Sequence, residues 1–205
     1  MGQIAIIGTG GHGRECIEAA RAGGIDVVCL IDENASLWGS RVLDVEVARD
    51  GLNAISRLSG DVDLLVAVGD NAARKRIVAD LTGRSFATLI HPFSWISPTA
   101  RIGEGAMIFA GCVVQNGAQV GRHGILNTGA TLSHDCATGD FSHVAVGARL
   151  AGNVTIGAGA LIGAGVAARP GASVGDWATV GAGAVVIDDV PAGATAFGQG
   201  RAVPR

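Results

Sequence analysis

Positions spaced by six from Ile90 to Val186 hold a branched aliphatic residue at fifteen of seventeen places, without one slip of phase. A period of six fits neither the 3.6-residue turn of a helix nor the two-residue alternation of a strand, so it marks a supersecondary repeat. The series is Ile90, Ile96, Ile102, Ile108, Val114, Val120, Leu126, Leu132, Thr138, Val144, Leu150, Ile156, Ile162, Ala168, Val174, Val180 and Val186. A second small or slender side chain follows four residues later, from Ser94 and Ala100 through Cys112 and Cys136 to Val190. Hexapeptide units of this kind stack into a parallel β-helix, three units closing one coil of eighteen residues whose aliphatic side chains fill the axis. Residues eighteen apart then lie one above the other at about 4.8 Å. The slot before the second small residue is mostly Gly or Asn, as at Gly105, Gly117, Gly129 and Asn153, which suits a corner of positive φ. Packing alone explains this pattern, so the repeat by itself assigns no chemistry.

The chain has 205 residues and 48% hydrophobic content, enough for one large domain or two small ones. A net charge of −3 gives no reason to expect nucleic acid or an anionic membrane as partner. No segment reads as a signal peptide or an apolar span of ~18 residues, so no membrane insertion is expected and the cytoplasm is the default location. Cys16, Cys29, Cys112 and Cys136 form no CxxC pair. Cys112 and Cys136 fall in inward slots and read as reduced core residues.

Residues 1–89 lack the period and read as a separate α/β domain, a small parallel sheet equivalent to half of a Rossmann-like fold, ahead of a β-helix domain with a C-terminal tail over 90–205. Gln3–Ile7, Val27–Ile31 and Leu64–Val68 are apolar strands, with a helical stretch from Arg14 to about Ala22 after the first and another after the third, the basic run Arg74-Lys75-Arg76. Gly8-Thr9-Gly10-Gly11-His12-Gly13 follows a strand and opens a helix, where a glycine turn and a helix N-terminus can hold a phosphate. The plainer reading is a turn that only packs helix on strand. Asp32, closing the second strand, stands where a ribose or base would lie. An NAD-dependent oxidoreductase would use these same residues, but it needs a second sheet half and a catalytic domain that a β-helix does not supply. A domain presenting a nucleotide-linked sugar fits the length better.

The repeat is similar to that of the hexapeptide acyltransferases, a resemblance that implies a left-handed coil and a homotrimer with active sites between subunits. Further motifs narrow it. Gly8–Gly13, Ile31-Asp32-Glu33, Val66-Ala67-Val68-Gly69-Asp70-Asn71 and Leu89-Ile90-His91-Pro92 resemble the sialic-acid and bacillosamine acetyltransferase family. That likeness implies that Gly10, Gly11, His12 and Gly13 meet a phosphate, that Asp32 and Glu33 meet the nucleoside, and that Gly69 belongs to the same site. It continues in the coil through Leu126-Asn127-Thr128, Ser133-His134-Asp135-Cys136, Phe141-Ser142-His143-Val144 and Ala151-Gly152-Asn153-Val154.

The period alone leaves the direction of His134 open, because it sits close to a corner. The resemblance implies that it is the catalytic base. Acetyl transfer from a thioester requires a proton to leave the nucleophile, and an imidazole of ordinary pKa near 6.5 accepts it at neutral pH. Asp135 is the expected orienter of that imidazole. Gly152 lies eighteen residues beyond His134, which places its backbone N–H about one strand spacing away as a donor to the developing oxyanion. By resemblance His143 helps to hold acetyl-CoA, and Asn127 joins the substrate site; read plainly, His143 is a surface histidine. His91 and His123 are expected to be structural. The C-terminal Gly198-Gln199-Gly200-Arg201-Ala202 has glycine where the family has proline, and Arg201 and Arg205 are the cations expected to meet coenzyme A phosphates. A zinc site would need three converging imidazoles, and His134 and His143 have no third partner at a fitting spacing, so no metal is expected. The expected activity is N-acetylation of a nucleotide-activated amino sugar. O-acetylation of a sialic acid and a non-catalytic scaffold are the alternatives, and the same base would serve amine or hydroxyl.

Overall fold

The computed structural model describes residues 2–198 and the backbone of 201–203. The chain divides into two compact units, Met1–His91 and Pro92–Arg205.

The first unit contains β1 (Gln3–Ile7), α1 (Gly11–Ala22), β2 (Asp26–Ile31), β3 (Arg41–Val42), β4 (Val45–Glu46), β5 (Val62–Val66) and α2 (Asn71–Asp80). β1 lies between β2 and β5, parallel to both. Ile4, Ala5, Ile6 and Ile7 are all buried, as are Leu64, Leu65 and Val66. Such unbroken apolar runs are what a parallel strand covered on both faces requires. Two boundaries differ from the sequence expectation. Helix α1 starts at Gly11 rather than Arg14, because Gly10 is its N-cap and Arg14 N–H donates to Gly10 O at 3.1 Å. The third strand ends at Val66, and Val68 already belongs to the loop beyond it. β3 and β4 form a short antiparallel hairpin that the sequence pattern did not signal.

In the second unit two-residue strands follow one another around three faces. Through Ala167–Ala168 the strands pair in parallel with those eighteen residues on, as Val113 with Thr131, Ile125 with His143 and Ala137 with Thr155, and the offset falls to sixteen at Thr179 with Thr195. The inward slots from Ile108 to Val186 are buried, Thr138 included, together with the small residues that follow them. Ile96 and Ile102 are only partly buried and Ile90 is 38% exposed, so the start of the series is looser than its phase suggests. Cys112 and Cys136 are buried and unbridged, their thiols donating to the carbonyls of Asn127 and Ala151 at 3.1 and 3.0 Å. Burial pushes the Cys112 thiol up to about 11. At the C-terminal end Thr195–Phe197 joins the stack in parallel, and Arg201–Val203 returns antiparallel to it. Among the described residues no helix is long and apolar enough to cross a membrane.

Candidate active site

His134 and Asp135 form the corner after the strand Thr131–Leu132. Asp135 fills the slot usually held by glycine or asparagine and has φ +59. A left-handed backbone costs most residues roughly 1–2 kcal/mol, though Asp tolerates it better than bulkier types. The turn aims the carboxylate at Gly117 of the preceding coil, where a Cβ would meet Oδ1 at 2.4 Å. The other carboxylate oxygen, Oδ2, lies 2.9 Å from His134 Nδ1. The corner backbone is held as well: His134 N–H donates to Gln115 Oε1 at 3.1 Å and Asp135 N–H to Asn116 O at 3.0 Å.

With Nδ1–H donating to the carboxylate, Nε2 presents the lone pair. It lies against Gly152 of the following coil, where a Cβ would stand 2.4 Å from Nε2 and 2.5 Å from Cε1. Any side chain there would displace the imidazole from this position. Among the described residues Gly152 N–H has no hydrogen-bond partner, although its carbonyl accepts from Gly171 N–H at 2.9 Å. A proton acceptor and an unsatisfied donor thus sit side by side. The histidine and aspartate side chains are 51% and 55% exposed, open to reactants.

The other coil residues singled out by sequence stand elsewhere. His143 lies on the outer side of the strand His143–Val144, between Ile125 and Leu161 in a different sheet from Thr131–Leu132. Asn127 is buried at another corner, where its Oδ1 accepts from Thr128 N–H at 2.7 Å. Within one chain these residues stand on a different sheet and a different corner from His134. His123 is fully buried at φ +53, stacked on Phe141 with ring centroids 5.1 Å apart, a structural arrangement. The side chains of Arg201 and Arg205 lie outside the described residues. Among the described residues no three His, Cys, Asp or Glu side chains converge as metal ligands would.

In the first unit a cleft of about 180 Å³ opens at the carboxyl ends of the strands, lined by Ile7, Gly8, Ile31, Asp32, Glu33, Leu52, Val68 and Ile77. This is where open parallel sheets receive ligands. Two glycines are sterically demanded: a Cβ on Gly13 would stand 2.2 Å from Gly8 O, and one on Gly8 would stand 2.8 Å from Ala67 O. Gly10 and Gly11, by contrast, face open space, and Gly10 makes no side-chain cap to α1. Asp70 does cap α2, its Oδ1 accepting from Ala73 N–H at 2.7 Å. Of the two helix N-termini, that of α1 is the one left uncapped for an anion. The His12 imidazole turns along the helix, with Nδ1 3.4 Å from Glu15 Oε2, so its backbone rather than its ring belongs to the turn.

Asp32 is anchored through both carboxylate oxygens and Glu33 through one. Asp32 Oδ2 accepts from Thr9 N–H and Oγ at 3.1 and 2.6 Å, and Oδ1 takes one bond, from Asn34 N–H at 2.9 Å. Glu33 Oε1 accepts from Leu52 N–H at 2.7 Å. Two lone pairs per carboxylate oxygen leave acceptor capacity on Asp32 Oδ1 and Glu33 Oε2, in a cleft otherwise walled mainly by aliphatic groups. Gly69 is exposed in the loop after β5. The sequence reading missed Thr9, Gln115 and Gly117; the eighteen-residue offset between Gly117 and Asp135 was the available signal for the last.

A parallel hexapeptide coil with an aspartate-oriented imidazole against the backbone of the next coil has the parts of an acyltransferase. The PglD N-terminal domain family model matches residues 3–81. The chain is 38% identical over 115 residues to UDP-N-acetylbacillosamine N-acetyltransferase of Bacillus subtilis (strain 168), a match spanning 54% of this chain and about half, 52%, of that relative. It is 38% identical to the acetyltransferase domain of PglB from Neisseria gonorrhoeae FA1090 in complex with acetyl coenzyme A, with a TM-score of 0.91 over 99% of this chain and 98% of that one. A mutant perosamine N-acetyltransferase from Caulobacter crescentus, in complex with CoA and GDP-perosamine, is 35% identical, with a TM-score of 0.93 over 100% and 98% of the two chains. The chain belongs to the sugar acetyltransferase family of these bacillosamine and perosamine proteins.

Proposed function

We propose that the chain transfers acetyl from acetyl-CoA to the amino group of a nucleotide-activated amino sugar used in glycan synthesis, with His134 as general base. The observation that carries this reading is His134 Nε2 lying against Gly152, whose N–H is open. Acetyl-CoA supplies the thioester. As the sugar amine forms its bond to the carbonyl carbon, Nε2 takes the amine proton and Asp135 stabilises the imidazolium through Nδ1–H. Gly152 N–H donates to the carbonyl oxygen as negative charge builds there. The carbon–sulfur bond then breaks, and the imidazolium returns its proton to the departing thiolate.

The uncapped turn at Gly10–Gly13 would hold the diphosphate, and Asp32 and Glu33 would accept from the nucleoside. The separation of His143 and Asn127 from His134 within one chain supports a homotrimer in which neighbouring coils complete each site. Arg201 is assigned to coenzyme A on family likeness alone. Both reactants are cytoplasmic metabolites, and the reaction is assigned there.

Thiol release from acetyl-CoA, measured against UDP-, GDP- and dTDP-linked amino sugars and CMP-sialic acid, tests the activity and acceptor. In the same assay His134→Ala is expected to lower kcat by ~10²–10⁴-fold, the usual value of general-base catalysis. A variant that turns over at the wild-type rate would remove His134 from the mechanism.

A further inference from the structure

Helix α2 is docked by polar side chains. Its buried residues are Asn71 and Arg74, and Ile77 and Val78 are only partly covered. Arg74 has no exposed surface at all. Its Nη1 donates to Val68 O at 2.7 Å and to Gly69 O at 3.3 Å, and its Nη2 donates to Asn71 Oδ1 at 2.8 Å. Burial lowers this guanidinium to about 10, against the opposing pull of Asp70. Placing a charge where it is so costly calls for a return, and an exposed basic helix face would have offered none.

The acceptors lie just behind the cleft. Val68 lines it from the loop, and Ile77, one turn from Arg74 and so on the same side of the helix, lines it from α2. We propose that Arg74 is a positioning residue for the nucleotide-sugar site, tying the first turn of α2 to the Val68–Gly69 loop so that Val68 and Ile77 hold one cleft wall. The proposal rests on the reading that this cleft receives the nucleotide. A planar fork reaches several oxygens at fixed angles, whereas a lysine ammonium is a single point charge on a flexible stem.

The test is steady-state kinetics of Arg74→Lys, with Asn71→Ala as a milder variant that keeps the charge and removes one acceptor. Arg74→Lys is expected to raise the acceptor KM by about tenfold or more, with kcat and the acetyl-CoA KM within about twofold of wild type, and Asn71→Ala to do the same less strongly. Competitive inhibition by free UDP, GDP or dTDP, whichever the wild type responds to, should weaken in parallel. An unchanged acceptor KM, or an equal rise in both KM values alongside a lowered Tm, would overturn the positioning role. A wild-type enzyme that no nucleoside diphosphate inhibits competitively against the acceptor would instead overturn the nucleotide reading, and this proposal with it. If Arg74→Lys does not fold, the same split in Asn71→Ala decides.

Discussion

At the scale of single residues, the geometry of the His134–Asp135 corner is set by what glycine leaves out. Gly117 leaves room for Asp135 Oδ1, and Gly152 leaves room for His134 Nε2. A methyl at Gly152 would sit 2.4 Å from that nitrogen, inside any tolerable contact, so the ring must move. Misplacing a catalytic group by about 1 Å can cost on the order of 10²-fold. Gly152→Ala is therefore expected to fold normally and to lose about that factor in kcat, read from thiol release and a thermal melt. Wild-type kcat in this variant would mean that the imidazole does not work from its position over Gly152. The eighteen-residue spacing made this pair legible before any coordinates, because stacking turns spacing into proximity. The direction of the imidazole was not legible. It depends on the left-handed backbone at Asp135 and on Gln115 accepting His134 N–H, and neither leaves a periodic trace.

At the scale of elements the coil and the first unit differ in how much of them could be read. Each coil strand repeats one inward slot, so phase alone assigns burial, and Cys112, Cys136 and Thr138 all stand inside. Helix α2 has no comparable stripe. Arg74-Lys75-Arg76 reads only as a basic helical run, yet Arg74 is buried, because hydrogen-bond geometry rather than apolar periodicity docks the helix. Thr138 shows the limit of reading by phase. Its Oγ1 is buried with no hydrogen-bond partner among the described residues, a polar atom in an aliphatic column. Replacing a buried unsatisfied hydroxyl by a methyl removes a desolvation cost of roughly 1–3 kcal/mol and keeps the shape. Thr138→Val should thus be stabilising by about that amount in denaturant unfolding, with activity retained. A destabilised variant would show that the hydroxyl has a partner in solution, such as an internal water.

At the scale of the whole molecule, the proposed site requires His134 and His143, which one chain sets on a corner and on another sheet, to act together. His134 is at a corner and His143 on the outer side of another sheet, and a coil stacks too rigidly to bring them together by bending. The proposed cyclic assembly would do so without distortion, because each subunit would then offer its corner to one neighbour and its sheet to the other. If each site combines His134 of one subunit with His143 of the next, subunits carrying His134→Ala and subunits carrying His143→Ala are each impaired alone but complementary in a mixture. A site is intact when a subunit lacking His143 lends its His134 to a neighbour lacking His134. Random reassembly at equal proportions meets that condition at about a quarter of the sites in a closed ring. Co-refolding the two variants should therefore recover roughly a quarter of wild-type turnover in particles of trimer mass, while mixing them without unfolding recovers none. Trimers that form from both variants and stay as inactive as the parents would put both histidines back within one subunit's site, or take His143 out of it.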